Sequence, residues 1–215
     1  MKIVSSPTER TTAATDLIIA LMALRYALAL SRLRQRDPWK AGLWAATFAS
    51  LSAGAGLGAV VHGIPLEKRA HSWLWRGLYS CLALVVALFA LGATRDRWGE
   101  PTARRALPVA LSSAGGFVVL TQLLPQGFLA FIIYEAAAML FALSVYGDLA
   151  HRRALKGAPQ VVIGIGLSIV AAVVQTNKRE IELFGLRFDQ NGLFHLVQIV
   201  GLPPLAAGLR AGLEG

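Results

Sequence analysis

The sequence predicts an all-α polytopic membrane protein, one bundle of seven transmembrane helices with no soluble domain. Three observations carry this expectation. Of 215 residues, 55% are hydrophobic and only 15% are charged, with a mean hydropathy of +0.56, which is not the composition of a water-soluble domain. The apolar residues fall into seven runs, each close to the roughly 20 residues that a helix needs to cross a bilayer. The charges that stop these runs are mostly basic, so the net charge of +9 reads as a topology signal and argues against a nucleic-acid partner.

The expected spans are 13–32, 41–63, 73–93, 106–124, 127–147, 157–176 and 188–212, a single domain over 1–215. The first could pass for a signal peptide, but Arg25 interrupts its apolar core. It then runs into Arg32, Arg34 and Arg36 without a small-residue cleavage site, so it is read as a retained helix. The second carries Ala46, Ser50, Gly54, Gly58 and His62 at intervals of four, a ridge of small residues that lets helices approach closely in lipid. That helix should be central and should pack against the seventh. The fourth and fifth are joined by Thr121–Gly127, a tight uncharged turn, and no Lys or Arg occurs between Ala106 and Ala150. The sixth repeats the small ridge with Gly164, Ser168 and Ala172, and places Gln175 one turn further on. In the seventh, Pro203-Pro204 removes two backbone donors, so a kink or break is expected there.

Orientation follows from basic residues in short loops. The first, third and fifth loops hold Arg32, Arg34, Arg36 and Lys40; Arg95, Arg97, Arg104 and Arg105; and Arg152, Arg153 and Lys156. The second has Lys68 and Arg69, the fourth none, and the sixth balances Lys178, Arg179 and Arg187 against Glu180, Glu182 and Asp189. The N-terminus is therefore expected outside and the C-terminus in the cytoplasm, in a bacterium across the inner membrane. Trp39, Trp44, Trp73, Trp75 and Trp98 fall near span ends, where indoles prefer to sit. The single cysteine, Cys81, lies in an apolar run and has no intrachain partner.

Given that orientation, the polar residues gather at the outer side. Asp16 opens the first span, His62 closes the second, Gln175 and Asn177 close the sixth, and Asp189, Asn191 and His195 open the seventh. Several have plain structural readings. His62-Gly63-Ile64-Pro65 suits a helix C-terminus with Gly as a left-handed cap, and Asp189 and Asp16 suit N-caps. His71 sits among loop residues and reads as solvated. His195 is different: about two turns into its helix, roughly 10 Å at 1.5 Å per residue, it has no cap to make. It shares a face with Asn191, and Gln198 follows one turn deeper. Such a stripe is costly to bury, so it faces a cavity or partners. Arg25 and Glu135 lie near the middle of the first and fifth spans, where a structural ion pair between them is the economical expectation.

The missing signatures exclude several classes. No lysine lies in the seventh span to carry a retinal Schiff base, so no retinal is expected. There is no nucleotide-binding motif, no HExxH and no cysteine-based metal spacing.

Seven spans, a histidine at the outer end of the second and a polar-xxx-His pair, Asn191 and His195, opening the seventh resemble the CREST superfamily. These are seven-helix membrane hydrolases that include alkaline ceramidases and adiponectin-receptor-like proteins. The resemblance implies zinc held by His62 and His195, activating a water to cleave a lipid amide or ester. Asp189 or Asp16 would then be a third ligand or general base, with Asn191, Gln198 and Gln175 binding substrate. The chain departs from that pattern in three places: Asn191 stands where a histidine ligand is expected, Gly58 where a serine is, and the third span has no aspartate. The alternative expectation is a non-catalytic bundle that uses the same polar residues to bind a membrane lipid or small molecule, or that serves as a subunit beside other membrane proteins.

Overall fold

The structure, a computed structural model, describes residues 3–123, 127–177 and 179–215. Seven long helices make up almost all of it: α1 (Pro7–Ser31), α2 (Pro38–Gly63), α3 (Lys68–Trp98), α4 (Glu100–Leu123), α5 (Gly127–His151), α6 (Ala158–Thr176) and α7 (Gln190–Glu214). All of these but α4 are long and apolar enough to cross a membrane. The expected turn between α4 and α5 falls partly on residues 124–126, outside the described residues.

Local sequence explains the helix starts. Ser6 caps α1 by accepting from the Glu9 N–H, with Pro7 in the first turn and Glu9 three residues after the cap, so α1 begins six residues earlier than the apolar run implied. Asp37 caps α2 in the same way, accepting from the Lys40 N–H at 2.8 Å ahead of Pro38. The end of α2 differs from expectation. Gly63 is not left-handed, and Ile64, in extended backbone, closes the helix. The helix α7 also runs unbroken through Pro203-Pro204.

Packing order gives the architecture. Helix α1 packs on α2 and α7, α2 on α3, α3 on α5, α5 on α6, and α6 on α7, which closes a ring of six. Helix α4 lies outside the ring against α3 and α5. The second and seventh helices, expected to be neighbours, touch only marginally because α1 stands between them. It fits there because most of the face that it buries is small residues, among them Thr12, Thr15, Ala20, Ala23 and Ala27. Its other face exposes Leu17, Leu21, Leu24 and Leu28, as a lipid-facing stripe would. The tightest crossing joins α6 to α7. A side-chain carbon at Gly157, which is left-handed at φ +84°, would lie 2.2 Å from the Gly208 carbonyl oxygen, so only glycine fits.

The two ends of the ring differ. At the end bearing the α1–α2, α3–α4 and α5–α6 connections, the side chains of Lys40 and Asp96 are 2% and 1% exposed and pair at 2.7 Å. Tyr146 Oη donates to Asp96 at 2.8 Å, Lys40 Nζ donates to the Gly212 carbonyl at 2.9 Å, and Arg95 pairs with Asp37. This network ties α2, α3, α5 and α7 together. Nearby Trp44, expected at an interface, is fully buried edge-on to Phe89, with centroids 5.3 Å apart.

The opposite end carries an element that the apolar pattern did not predict. Ile181–Leu183 (β1) and Leu186–Phe188 (β2) form an antiparallel hairpin between α6 and α7. Phe184 and Gly185, with φ of +55° and +76°, make its two-residue turn, the backbone that suits right-twisted strands. Phe188 is buried, and the Thr11 hydroxyl donates to the Arg187 carbonyl at 2.6 Å, which fastens the hairpin to α1.

Candidate functional site

A cavity of about 200 Å³ occupies the centre of the ring, lined by all six ring helices and by no described residue of α4. Its polar residues cluster toward the hairpin end: Asp16, His62, Gln175, Asn191, His195 and Gln198. Toward the basic end the lining is apolar, with Phe48, Phe89, Met139, Ile165, Leu202 and Leu205, apart from Thr47, whose hydroxyl is spent on its own helix. Glu135 adds a carboxylate two turns into α5. No Lys or Arg is among the described lining residues.

The polar end is built on contacts between α1 and α7. His195 Nδ1 lies 3.0 Å from Thr15 Oγ1, and Nε2 lies 3.4 Å from Asp16 Oδ1. The Thr15 hydroxyl also reaches its own helix, at 2.9 Å from the carbonyls of both Thr11 and Thr12. The same hydroxyl meets His195 Nδ1, so it either accepts from an Nδ1 hydrogen or donates to the bare nitrogen, according to the tautomer of His195. A lone pair on Nε2 facing a carboxylate oxygen would repel it, so a hydrogen on one of the two groups faces the other across this contact. Asp16 is 6% exposed and stands more than two turns inside α1, so it is not the expected cap. Gly58 makes room for it: a side-chain carbon there would fall 2.6 Å from Asp16 Oδ2.

The other expected residues divide. His62 lines the cavity, but its Nδ1 is held by Glu9 Oε2 at 2.7 Å, and its ring packs edge-on to Trp75. Gln175 Nε2 donates to Asn191 Oδ1 at 3.1 Å, and the Ser168 hydroxyl donates to Gln198 Oε1 at 3.0 Å. Asp189 does not line the cavity. It caps α7, accepting from the N–H groups of Asn191 and Gly192 at 3.0 and 2.9 Å, and Thr12 Oγ1 donates to the same oxygen. His71 is exposed and accepts from Trp75 Nε1.

The expected pair between Arg25 and Glu135 is not formed. Arg25 is exposed on the lipid-facing side of α1, six residues from its end at Ser31, or about 9 Å at 1.5 Å per residue. A side chain at that depth reaches the interface by extending along the helix. Helices α1 and α5 are not neighbours in the ring, and Glu135 has no ion-pair partner among the described residues.

His62 and His195 share the cavity, yet no group of three or more His, Cys, Asp or Glu side chains is placed to hold a metal ion among the described residues. The ring nitrogens nearest acidic or hydroxyl groups already have protein partners. An amide at Asn191 supplies only a weak ligand, and here its oxygen is engaged by Gln175.

Sequence reasoning missed Glu9 and Thr12 because it began the first span at residue 13. The Ser6-Pro7-Thr8-Glu9 capping pattern would have added the missing two turns and set Thr12 above Asp16 on one face.

No curated protein and no solved structure matches the chain. A family model does, over residues 11–214, which span nearly all of α1 through α7 and every cavity residue named above. The chain belongs to the family of unknown function DUF6962.

Proposed function

We propose that this protein spans the membrane seven times, N-terminus outside, and binds a small amphipathic molecule or lipid in the cavity of its six-helix ring. The carrying observation is the polarity of the lining: hydrogen-bonding side chains at the hairpin end and aromatic and aliphatic ones beyond, an arrangement complementary to a polar head and an apolar body. The basic residues that concentrate in the α1–α2, α3–α4 and α5–α6 connections support placing that end in the cytoplasm and the polar end near the outer face. Helix α4, 24 residues long with Glu100, Arg104 and Arg105 in its first two turns, completes the seven spans as a peripheral helix.

The test is retention of a bound molecule. Wild-type protein purified in mild detergent should carry an amphiphile detectable by native mass spectrometry. Met139→Trp, which fills the cavity from α5, should release it without lowering the melting temperature measured in its absence. Protein that retains no amphiphile and gains no thermal stability from added lipids or phenylalkyl compounds would overturn the reading.

A further inference from the structure

We infer that the occupant of this cavity is an organic cation, held through a protonated nitrogen by Glu135. The inference rests on the ligand-binding reading above and specifies the head group. Two carboxylates, Asp16 and Glu135, line the cavity, and no Lys or Arg among the described residues does. Asp16 is engaged by His195. The Glu135 carboxylate lines the cavity without an ion-pair or hydrogen-bond partner among the described residues, at a depth where an unpaired charge is expensive. A cationic ligand would supply the missing partner. Aromatic rings stand around the same space: Tyr79 and Phe131 have centroids 6.5 Å apart, and Trp75 lies 5.7 Å from Tyr79. All three line the cavity with Glu135, and an aromatic wall beside a carboxylate suits an alkylammonium better than a neutral alcohol. Anionic heads meet the opposite situation, with two acids and no Lys or Arg among the described lining residues.

The experiment uses three probes that share one apolar body and differ in the head: phenylbutylamine, phenylbutanol and phenylbutyrate. Their affinities are read from thermal stabilisation of the full chain in phosphatidylcholine nanodiscs. A charge-assisted hydrogen bond should make the amine about tenfold tighter than the alcohol, with the carboxylate weakest. Glu135→Gln should abolish the preference for the amine over the alcohol, and binding of the alcohol that persists shows that the variant cavity is folded. Should that variant fail to fold, the ranking in the wild type decides. Equal affinities for amine and alcohol in the wild type would overturn the cationic assignment while leaving the binding reading intact. So would an amine preference that survives in Glu135→Gln. Binding by none of the three probes would overturn both.

Discussion

His195 presents Nε2 to Asp16 Oδ1 across 3.4 Å while Thr15 holds its other ring nitrogen, so two titratable side chains from α7 and α1 face each other inside the bundle. Neither can be removed alone without stranding the other. His195→Leu leaves Asp16 without its partner, and losses of roughly 3–5 kcal/mol are expected for a buried pair broken on one side. His195→Leu combined with Asp16→Leu should recover part of that loss, because both polar groups then leave together. Thermal unfolding of the single and double variants in detergent measures the coupling, and additive losses would show that the two do not interact.

Gly58 is the backbone concession that lets Asp16 in. Gly58→Ala should cost about 1–3 kcal/mol, the range for an overpacked interior. In an Asp16→Ala background the penalty should shrink to a few tenths of a kcal/mol, since the colliding carboxylate is gone. Equal penalties in both backgrounds would mean that some other neighbour sets the glycine requirement.

The basic end should be as sensitive as the cavity. Lys40→Met removes the nearest counter-charge of Asp96, whose side chain is 1% exposed, and should cost about 3–5 kcal/mol. Tyr146→Phe removes only one hydrogen bond to that carboxylate and should cost about 1.5–3 kcal/mol. Reversal of this order in melting experiments would show that Tyr146, not Lys40, is the principal partner.

Arg25 and Glu135 should behave as strangers. Arg25→Leu and Glu135→Leu should change stability additively, within about 0.5 kcal/mol, because their helices are not neighbours. Strong non-additivity in the double variant would return the pair to the bundle interior.

Orientation is open to direct labelling. With Cys81 replaced by serine, cysteines at Thr102 and Ala154, both exposed at the basic end, should react with impermeant reagent only from the cytoplasm. A cysteine at Phe184, the exposed tip of the hairpin, should react only from outside. The reverse pattern would invert the proposed topology.

How much of this was legible beforehand depends on the range of the interaction involved. Six membrane-length helices, and their approximate limits, were readable because burial in lipid acts on each segment separately: about 20 apolar residues suffice wherever the segment packs. Capping is local too, and Asp189 was recognisable as the N-cap of α7 from its position alone. The hairpin was missed although its turn is local. Its strands are three residues each, and Leu-Phe-Gly-Leu reads equally well as an irregular loop.

What the sequence could not determine was which helix faces which. An apolar helix in lipid carries no hydrophobic stripe that distinguishes partner from solvent, so the placement of α1 between α2 and α7 was invisible, and with it the meeting of Asp16, Thr15 and His195. Glu135 and Arg25 look alike in one dimension, both charged at mid-span. Ring order turns one toward the cavity and the other toward lipid. The sequence by itself determined that the chain is membranous and helical, and that its polar residues lie toward one end. Tertiary packing alone decided which of them share a cavity, because that depends on close contacts between helices far apart in the chain.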